Sequence, residues 1–264
     1  MSDLRQLPEW GEWLRRTGWS VEKLGLVGGR KTQAFVRKIP LLPLYIVKIQ
    51  RFEGEIEKME IEKLRRRYRI IYMVVEPLTD VQCRPWLEAG YGWEKSPFLP
   101  AKTRVIDLTR SEKSLWNDLD QNARRILNKK NRVRVTSILA EEFFSGWKKF
   151  SPTLILTHWQ FKTLNEVLKK KVEYWASVEG GITALAIMMI YSDDGAHYYQ
   201  TWTSKEGRRN NGQFYLVWDR ILDAKKRKKK YFDFEGIYDQ RHPLKNWKGF
   251  SEFKRKFGGY EVTY

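Results

Sequence analysis

Carboxylates stand where a predicted strand ends near the C-terminus of the chain. Residues 231–234 read as a strand, and it runs into the sequence Asp233-Phe234-Glu235-Gly236. Open α/β folds bind ligands at the carboxyl edge of their sheets, so acidic groups and a flexible glycine there are candidate site residues. Asp239 and Arg241 follow in the same polar segment, and Tyr199, on an earlier predicted strand, is a further candidate for substrate binding.

An aromatic helix follows this segment. Phe250, Phe253 and Phe257 recur at intervals of three and four in a helix predicted at 249–257, so we expect all three to face the core. Lys254 follows Phe253 directly and should flank that face. An ordinary solvated surface position is the alternative for this lysine.

A third candidate segment, 205–213, lies between a predicted strand and a predicted helix. It is polar, basic and contains glycine, with Arg208, Arg209 and Gly212 as its notable members. Backbone amides at the positive end of the following helix would favour a phosphate group. An ordinary solvated turn is the alternative.

Conventional metal and nucleophile sites are not predicted. The chain has three histidines and one cysteine, Cys83, and their spacings suit neither zinc nor a serine or cysteine nucleophile. A single cysteine cannot form an internal disulfide, which is typical of a reducing cytoplasm. We therefore expect a cytoplasmic protein without a bound metal.

Composition limits the class of protein. In 264 residues there are 50 Lys and Arg against 32 Asp and Glu, a formal net charge of +18. Such a charge attracts polyanions, so nucleic acid or another phosphate-rich partner is expected, although a basic proteome would give the same excess. Positive runs lie at 63–67, 124–134 and 225–230. The longest apolar stretch, 182–191, is about half of the ~20 residues that a membrane-spanning helix needs.

The order of predicted elements indicates two similar halves. The first half reads as a helix, three strands, a helix, a strand, a short helix and a strand around Trp93. The second half opens with a capping box at Thr109-Arg110-Ser111-Glu112 and one helix through Leu127, and it then repeats this order. We predict an α/β (α+β) fold of two tandem GNAT-like (N-acetyltransferase-like) units, residues 1–102 and 103–264, each with a mixed, mostly antiparallel sheet flanked by helices.

Several motifs resemble the FemAB-type family of tRNA-dependent aminoacyltransferases, which build peptidoglycan cross-bridges. The resemblance is strongest in Asp-Phe-Glu-Gly-Ile at 233–237 and in Gly-Phe-x-x-Phe-Lys-x-x-Phe-Gly-Gly at 249–259. Thr103-Arg104-Val105-Ile106-Asp107-Leu108 resembles the entry to the family's second domain, and Glu76-Pro77 fits its first domain. The similarity covers nearly the whole chain.

This resemblance implies a cytoplasmic enzyme that moves an amino acid from its tRNA ester to an amine of a peptidoglycan precursor's stem peptide, nucleotide-linked or lipid-linked. Lys254 would contact the tRNA end or the developing oxyanion, Phe253 beside it would help to bind the substrate, and Glu76 would accept the amine proton. No stored cofactor is implied. A lipid-linked acceptor would require contact with the inner membrane face.

Two other functions remain open. Arg209-x-x-Gly212 partly matches the pyrophosphate loop of GNAT enzymes, although Phe214 replaces a small residue, so a coenzyme A-dependent N-acyltransferase is one alternative. A non-catalytic RNA-binding GNAT-like protein is the other. The sequence also departs from the family at 157–161, where an Arg and a Tyr that grip the precursor are expected.

Overall fold

A computed structural model describes residues 3–95, 97–129, 133–151, 156–244 and 246–264. The chain divides into two compact units. The N-terminal unit comprises residues up to 99 together with 166–168 and 263–264, and the C-terminal unit comprises residues 100–165 and 169–262. Among the described residues, no helix combines the length and apolarity needed to span a bilayer.

The N-terminal unit follows the predicted order with one exception. Its elements are α1 (Pro8–Arg16), β1 (Ser20–Gly25), β2 (Lys31–Lys38), β3 (Tyr45–Gln50), α2 (Lys58–Arg67), β4 (Ile70–Glu76) and α3 (Arg84–Glu88). The strand predicted around Trp93 is wrong: the segment is irregular and the indole is 63% exposed. An aromatic ring there suggests a strand, but no strand among the described residues pairs with this segment.

The sheet of this unit has the order β1-β2-β3-β4. The first two pairs are antiparallel, whereas β3 and β4 are parallel and are connected through α2. One face packs Ala34, Val36, Val47 and Ile49 against Leu64 of α2. On the opposite face, alternation places Arg37, Lys48 and Glu76.

The C-terminal unit contains the longer elements. They are β5 (Lys102–Asp107), α4 (Glu112–Asp118), α5 (Gln121–Leu127), β6 (Arg134–Ser137), α6 (Ala140–Phe150), α7 (His158–Leu168), β7 (Val172–Glu179), β8 (Ile182–Tyr191), β9 (Gly195–Thr203), α8 (Lys205–Arg209), α9 (Gly212–Lys226), β10 (Tyr231–Asp233), α10 (Trp247–Arg255) and β11 (Tyr260–Thr263). Their sheet has the order β11-β5-β10-β9-β8-β7-β6, in which β9 and β10 run parallel.

One predicted helix is two. The apolar spacing from Leu115 to Leu127 is continuous, but Leu119 has an extended backbone and the side chain of Asp120 caps a new helix by accepting from the Asn122 amide. The predicted capping box at 109–112 is also wrong, because Ser111 is the cap of α4 and accepts from the Ser114 amide. Both helices still bury the predicted apolar positions in one core.

Each unit therefore has a mixed, mostly antiparallel sheet with helices beside it, which confirms the predicted fold class. In the C-terminal unit, the short strand β10 lies between β5 and β9. Its residues Tyr231, Phe232 and Asp233 are all buried, and Phe234 beyond it is buried too. The segment that follows β10 is thus held from both sides at the centre of this unit.

Two glycines test the packing near the end of the chain. Gly259 has φ +80°, and a Cβ there would lie 2.2 Å from the Val105 carbonyl oxygen, so Gly259→Ala should lower the free energy of unfolding by about 2 kcal/mol or more. Gly249, within α10, has open space around its Cα, so Gly249→Ala should raise stability by up to about 1 kcal/mol. Urea unfolding of both variants measures the contrast, and equal effects would contradict the described packing.

Candidate active site: a buried ion cluster after the central strand

The turn that follows β10 has an unusual backbone. Glu235 has φ +54° and Gly236 has φ +112°, both in the left-handed region. The Asp233 carboxylate accepts from the Glu235 amide at 2.8 Å and from the Thr103 hydroxyl at 2.6 Å. The same hydroxyl oxygen accepts from the Gly236 amide at 3.0 Å. These bonds offset the cost of a non-glycine residue at positive φ and fix the direction of the neighbouring carbonyls.

Lys254 uses those carbonyls. Its Nζ donates to the Phe234 oxygen at 2.7 Å and to the Gly236 oxygen at 2.6 Å. The side chain is buried, with the ammonium 4.9 Å from the centroid of the Phe250 ring. The solvated alternative for this lysine is therefore wrong. Burial lowers the pKa of Lys254 to about 8, and the nearby Asp233 and Glu235 carboxylates oppose that shift.

His197 completes the cluster. The parallel register of β9 and β10 places His197 directly opposite Asp233. Its Nδ1 is 2.8 Å from Oε1 of Glu235, and its Nε2 is 3.4 Å from the Ser192 hydroxyl. Burial and, to a smaller extent, the Glu235 charge raise the pKa of Asp233 to about 6, although His197 and the hydrogen bonds from Thr103 and the Glu235 amide oppose this shift. We refer to His197, Asp233, Glu235 and Lys254 as the ion cluster.

The ion cluster includes donor atoms of the kind that bind divalent cations. The structure places one nitrogen of His197 and one carboxylate oxygen each of Asp233 and Glu235 within 4.8 Å of one another. The short contact between His197 and Glu235 and the ammonium of Lys254 already provide partners for these carboxylates without an ion. Sequence spacing could not indicate this group, because His197 lies 36 residues before Asp233 and only strand pairing joins them.

The aromatic helix α10 is buried on one side as predicted, with one correction. Phe253 packs against Phe214 and Phe257 at centroid distances of 5.2 Å in each case. Phe250 is 37% exposed, so the prediction that it faces the core is wrong. The geometric reason is that the Lys254 side chain turns inward beside it, and the Phe250 ring covers the ammonium.

Residues 205–213 do not form a loop. Ser204 caps the short helix α8 by accepting from the Gly207 amide, and Arg208 and Arg209 are exposed on it. Gly212 is buried, and its amide donates to the Asn210 side chain at 2.9 Å. The first amide of α9 is therefore already occupied, which weakens the predicted phosphate site without removing the two arginines.

The other candidate residues of the C-terminal unit lie in separate settings. Tyr199 is half-buried on β9. Burial raises the pKa of Asp239, but hydrogen bonds from the Arg241 guanidinium and amide outweigh this and lower it. Arg241 also donates to the Ala101 carbonyl at 3.2 Å. Asp239 and Arg241 thus hold their own loop in place, and their role in substrate binding stays a prediction.

Glu76 belongs to the N-terminal unit, at the end of β4. One carboxylate oxygen accepts from the Gln50 amide group at 2.5 Å and the other from the Leu99 backbone amide at 2.9 Å. Both oxygens therefore have a hydrogen-bond donor. Its role as a base also stays a prediction.

The basic runs are used in different ways. In the run 225–230, the Lys225 ammonium donates to the carbonyls of Leu108 and Arg110, and the Lys229 ammonium to those of Ser192 and Asp193. Much of this run therefore stabilises the fold. Residues 130–132 of the run 124–134 lie outside the described residues.

Comparison with solved structures identifies the fold. A crystal structure of FemX superposes with a TM-score of 0.77 at 15% identity, covering 99% of this chain and 90% of FemX. The chain has the fold of FemX. No family model matches the sequence, and no curated protein matches it. The resemblance to the Fem family is thereby confirmed at the level of the fold.

Two further solved structures resemble this chain at lower similarity. One is the C-terminal domain of a putative lysylphosphatidylglycerol synthetase from Agrobacterium fabrum, with a TM-score of 0.55 and 13% identity. The match covers 98% of this chain and 87% of that chain. The other is a tandem GNAT protein from the clavulanic acid biosynthesis pathway, with a TM-score of 0.52, 13% identity and coverages of 98% and 93%. The chain thus shares its fold with a tandem GNAT protein over nearly its whole length.

The shifted pKa of Lys254 predicts a pH-dependent stability. Between pH 8 and pH 10.5 the folded protein has lost the Lys254 proton while the unfolded chain retains it, so unfolding must take up a proton. Stability should therefore rise with pH across this window, and the rise should be smaller in Lys254→Met. Urea unfolding at pH 7 to 10 measures it.

Lys248→Met is the matched control for this measurement. It removes the same charge from an exposed position of α10 and should keep the wild-type rise. An identical pH profile for wild type and Lys254→Met would show that the ammonium is not buried as described.

Proposed function

We propose that the protein is an acyltransferase that moves an amino acid from aminoacyl-tRNA to an amine of a peptidoglycan precursor's stem peptide. The observation that carries this proposal is the convergence of the Fem-like motif residues. Asp233, Glu235, Gly236 and Lys254 come from two separated motifs and form one buried hydrogen-bonded cluster, in a chain with the fold of FemX. Motif residues that lay only at scattered surface positions would not form such a buried cluster.

The proposed reaction needs few catalytic groups from the protein. The acceptor amine attacks the ester carbonyl, the new C–N bond forms, and the C–O bond to the tRNA ribose breaks. Negative charge develops on the carbonyl oxygen, and a preorganised cation at that point accelerates the reaction by about 10²–10³. Positioning the two reactants supplies much of the remaining acceleration.

Lys254 is suited to this task because two of its three N–H donors are fixed. The Phe234 and Gly236 carbonyls orient the ammonium. Its third N–H donor, which has no acceptor among the described residues, would reach the oxyanion once the partly exposed Phe250 ring that covers it turns aside. A pKa of about 8 leaves the group mostly protonated at neutral pH. Glu76 is the proposed acceptor of the amine proton.

The charge of the chain supports a tRNA substrate. A polyanion rewards a broad positive surface, whereas coenzyme A needs only a local patch. Arg208 and Arg209 are exposed and form no ion pair with other described residues, so they are available to phosphates. The occupied Gly212 amide and the Phe214 side chain make the coenzyme A alternative less favourable. A tRNA substrate also requires a cytoplasmic site of action.

The experiment tests several possible acceptors of the amino acid in parallel. The protein is incubated with mixed aminoacyl-tRNAs and, in separate reactions, with a nucleotide-linked precursor, a lipid-linked precursor and phosphatidylglycerol vesicles. The last reaction tests the acceptor suggested by the name of the lysylphosphatidylglycerol synthetase. We expect a mass increment of one amino acid on a precursor, and an increment only on the lipid would replace the peptidoglycan proposal. Stabilisation by acetyl-coenzyme A, or RNA binding without product, would favour the alternatives.

Substitution of Lys254 tests its role. Lys254→Met keeps most of the side-chain volume but leaves the Phe234 and Gly236 carbonyls without their donor, so some loss of stability is expected. Under conditions where the variant is folded by circular dichroism, the rate of transfer should fall by about 10²–10³ with little change in the KM for tRNA.

Lys248→Met serves as the control and should transfer at the wild-type rate. Wild-type turnover in folded Lys254→Met would refute the role of the ammonium, while leaving the substrate assignment to the mass measurement.

A further inference from the structure

The hairpin loop between β2 and β3 is apolar throughout. Residues 39–44 read Ile-Pro-Leu-Leu-Pro-Leu, and we call them the apolar tip. The Ile39 amide donates to the Leu44 carbonyl at 2.8 Å, which closes the loop. Leu41 is fully exposed and Leu42 is 47% exposed. A hydrogen-bonded hairpin therefore presents two leucine side chains to solvent, where they contribute nothing to the core of the unit.

The backbone of the apolar tip is unfavourable for a leucine. The Leu42 amide donates to the Ile39 carbonyl at 3.2 Å, and between them Pro40 is followed by Leu41 with φ +64°. Because proline keeps its own φ negative, this is a type II turn, whose third position normally holds glycine or asparagine. Among the described residues, no other apolar side chain has a positive φ. Backbone strain and apolar exposure thus occur at one residue, and a ligand for its side chain would offset both costs.

Cations lie around the apolar tip. Lys38 directly precedes it, and the Tyr45 amide that follows it donates to the Arg69 carbonyl at 3.0 Å, so Arg69 lies at the same edge of the sheet. Both cations are exposed, and neither side chain forms a hydrogen bond or an ion pair with the described residues. The last turn of α2 adds arginines 65–67, two of which pair with carboxylates, because Tyr68 after it packs on Tyr45 at 5.0 Å between centroids. The apolar tip therefore has a positive rim.

An apolar centre with a positive rim matches the surface of an anionic lipid bilayer. Leucine side chains can enter the hydrocarbon there while lysine and arginine stay at the level of the lipid phosphates. A second copy of the chain or another protein fits less well, because a stable interface buries about 800 Å² on each partner, more than two leucines on a projecting turn supply. A nucleic acid would use the cations but not the leucines.

We propose that the apolar tip inserts Leu41 and Leu42 into an anionic membrane surface, with Lys38 and Arg69 on the lipid phosphates. The strain at Leu41 then has a function, since a glycine at this position would relax the turn but remove the inserted side chain. This inference goes beyond the proposed transfer reaction and does not depend on it, because binding to a bilayer requires neither tRNA nor a peptide acceptor.

Flotation of the full chain with lipid vesicles tests the proposal. We expect saturable binding to vesicles of phosphatidylcholine and phosphatidylglycerol in equal parts, and much weaker binding to phosphatidylcholine alone. Leu41→Asn should weaken binding about tenfold or more, the loss expected for one leucine side chain withdrawn from hydrocarbon, whereas Leu41→Met should bind as the wild type does. Lys38→Gln and Arg69→Gln should each weaken binding about fivefold. Leu41→Asn should be at least as stable to urea as the wild type, because asparagine tolerates a positive φ.

Two matched controls lie in the C-terminal unit. Leu139→Asn removes a leucine that is 76% exposed at the N-cap of α6, where asparagine is a favourable cap, and Lys113→Gln removes an exposed lysine of α4. Both variants should bind vesicles as the wild type does.

An equal loss of binding in these controls would show diffuse attraction in place of a defined surface and overturn the proposal. So would wild-type binding by Leu41→Asn, or no binding of the wild type to anionic vesicles. Self-association without lipid that Leu41→Asn abolishes would instead assign the apolar tip to a contact between copies of the chain. None of these outcomes bears on the mass measurement of amino acid transfer.

Discussion

A buried ammonium bound to backbone carbonyls is the interaction on which the end of the C-terminal unit depends. Lys254 is 7% exposed, and a buried charge is tolerated only when it is hydrogen-bonded and close to opposite charge. Both conditions are met by one turn, since Phe234 and Gly236 supply the acceptors while Asp233 and Glu235 supply the negative charge. The turn and the lysine therefore stabilise each other.

This mutual dependence explains several neighbouring features. Glu235 and Gly236 have left-handed backbone angles, and in this conformation the Phe234 and Gly236 carbonyls accept hydrogen bonds from the same Nζ. The Thr103 hydroxyl holds the start of the turn, and a glycine at 259 lets the chain pass against the Val105 carbonyl after α10. Strain at Glu235 is thus offset by hydrogen bonds of Asp233, Thr103 and Lys254, which come from three separate segments. Such an arrangement is typical of functional sites.

Much of the fold could be predicted from the sequence, but the chemistry of the site could not. Apolar spacing and turn residues predict a helix over residues 212–226, and α9 has these bounds because its pattern is long and periodic. The same spacing misses the break at Asp120, where one side-chain hydrogen bond outweighs a continuous apolar face. His197 escapes notice for another reason, since its partner Glu235 is brought near only by the pairing of β9 with β10. Lys254 is buried because its ammonium donates to the Phe234 and Gly236 carbonyls, and the spacing of residues along a helix does not predict such hydrogen bonds.

The net charge of the chain does not show which of its cations a ligand can reach. Lys225 and Lys229 count toward the net charge of +18, yet their ammonium groups donate to backbone carbonyls and are committed to the fold. Arg208 and Arg209 contribute the same charge in a form that a phosphate can reach. Lys48 is a third case, because it is partly removed from water and lacks an acceptor among the described residues. A net charge therefore sets the sign of the long-range attraction for a polyanion, whereas the hydrogen-bond state of each cation determines where that polyanion can bind.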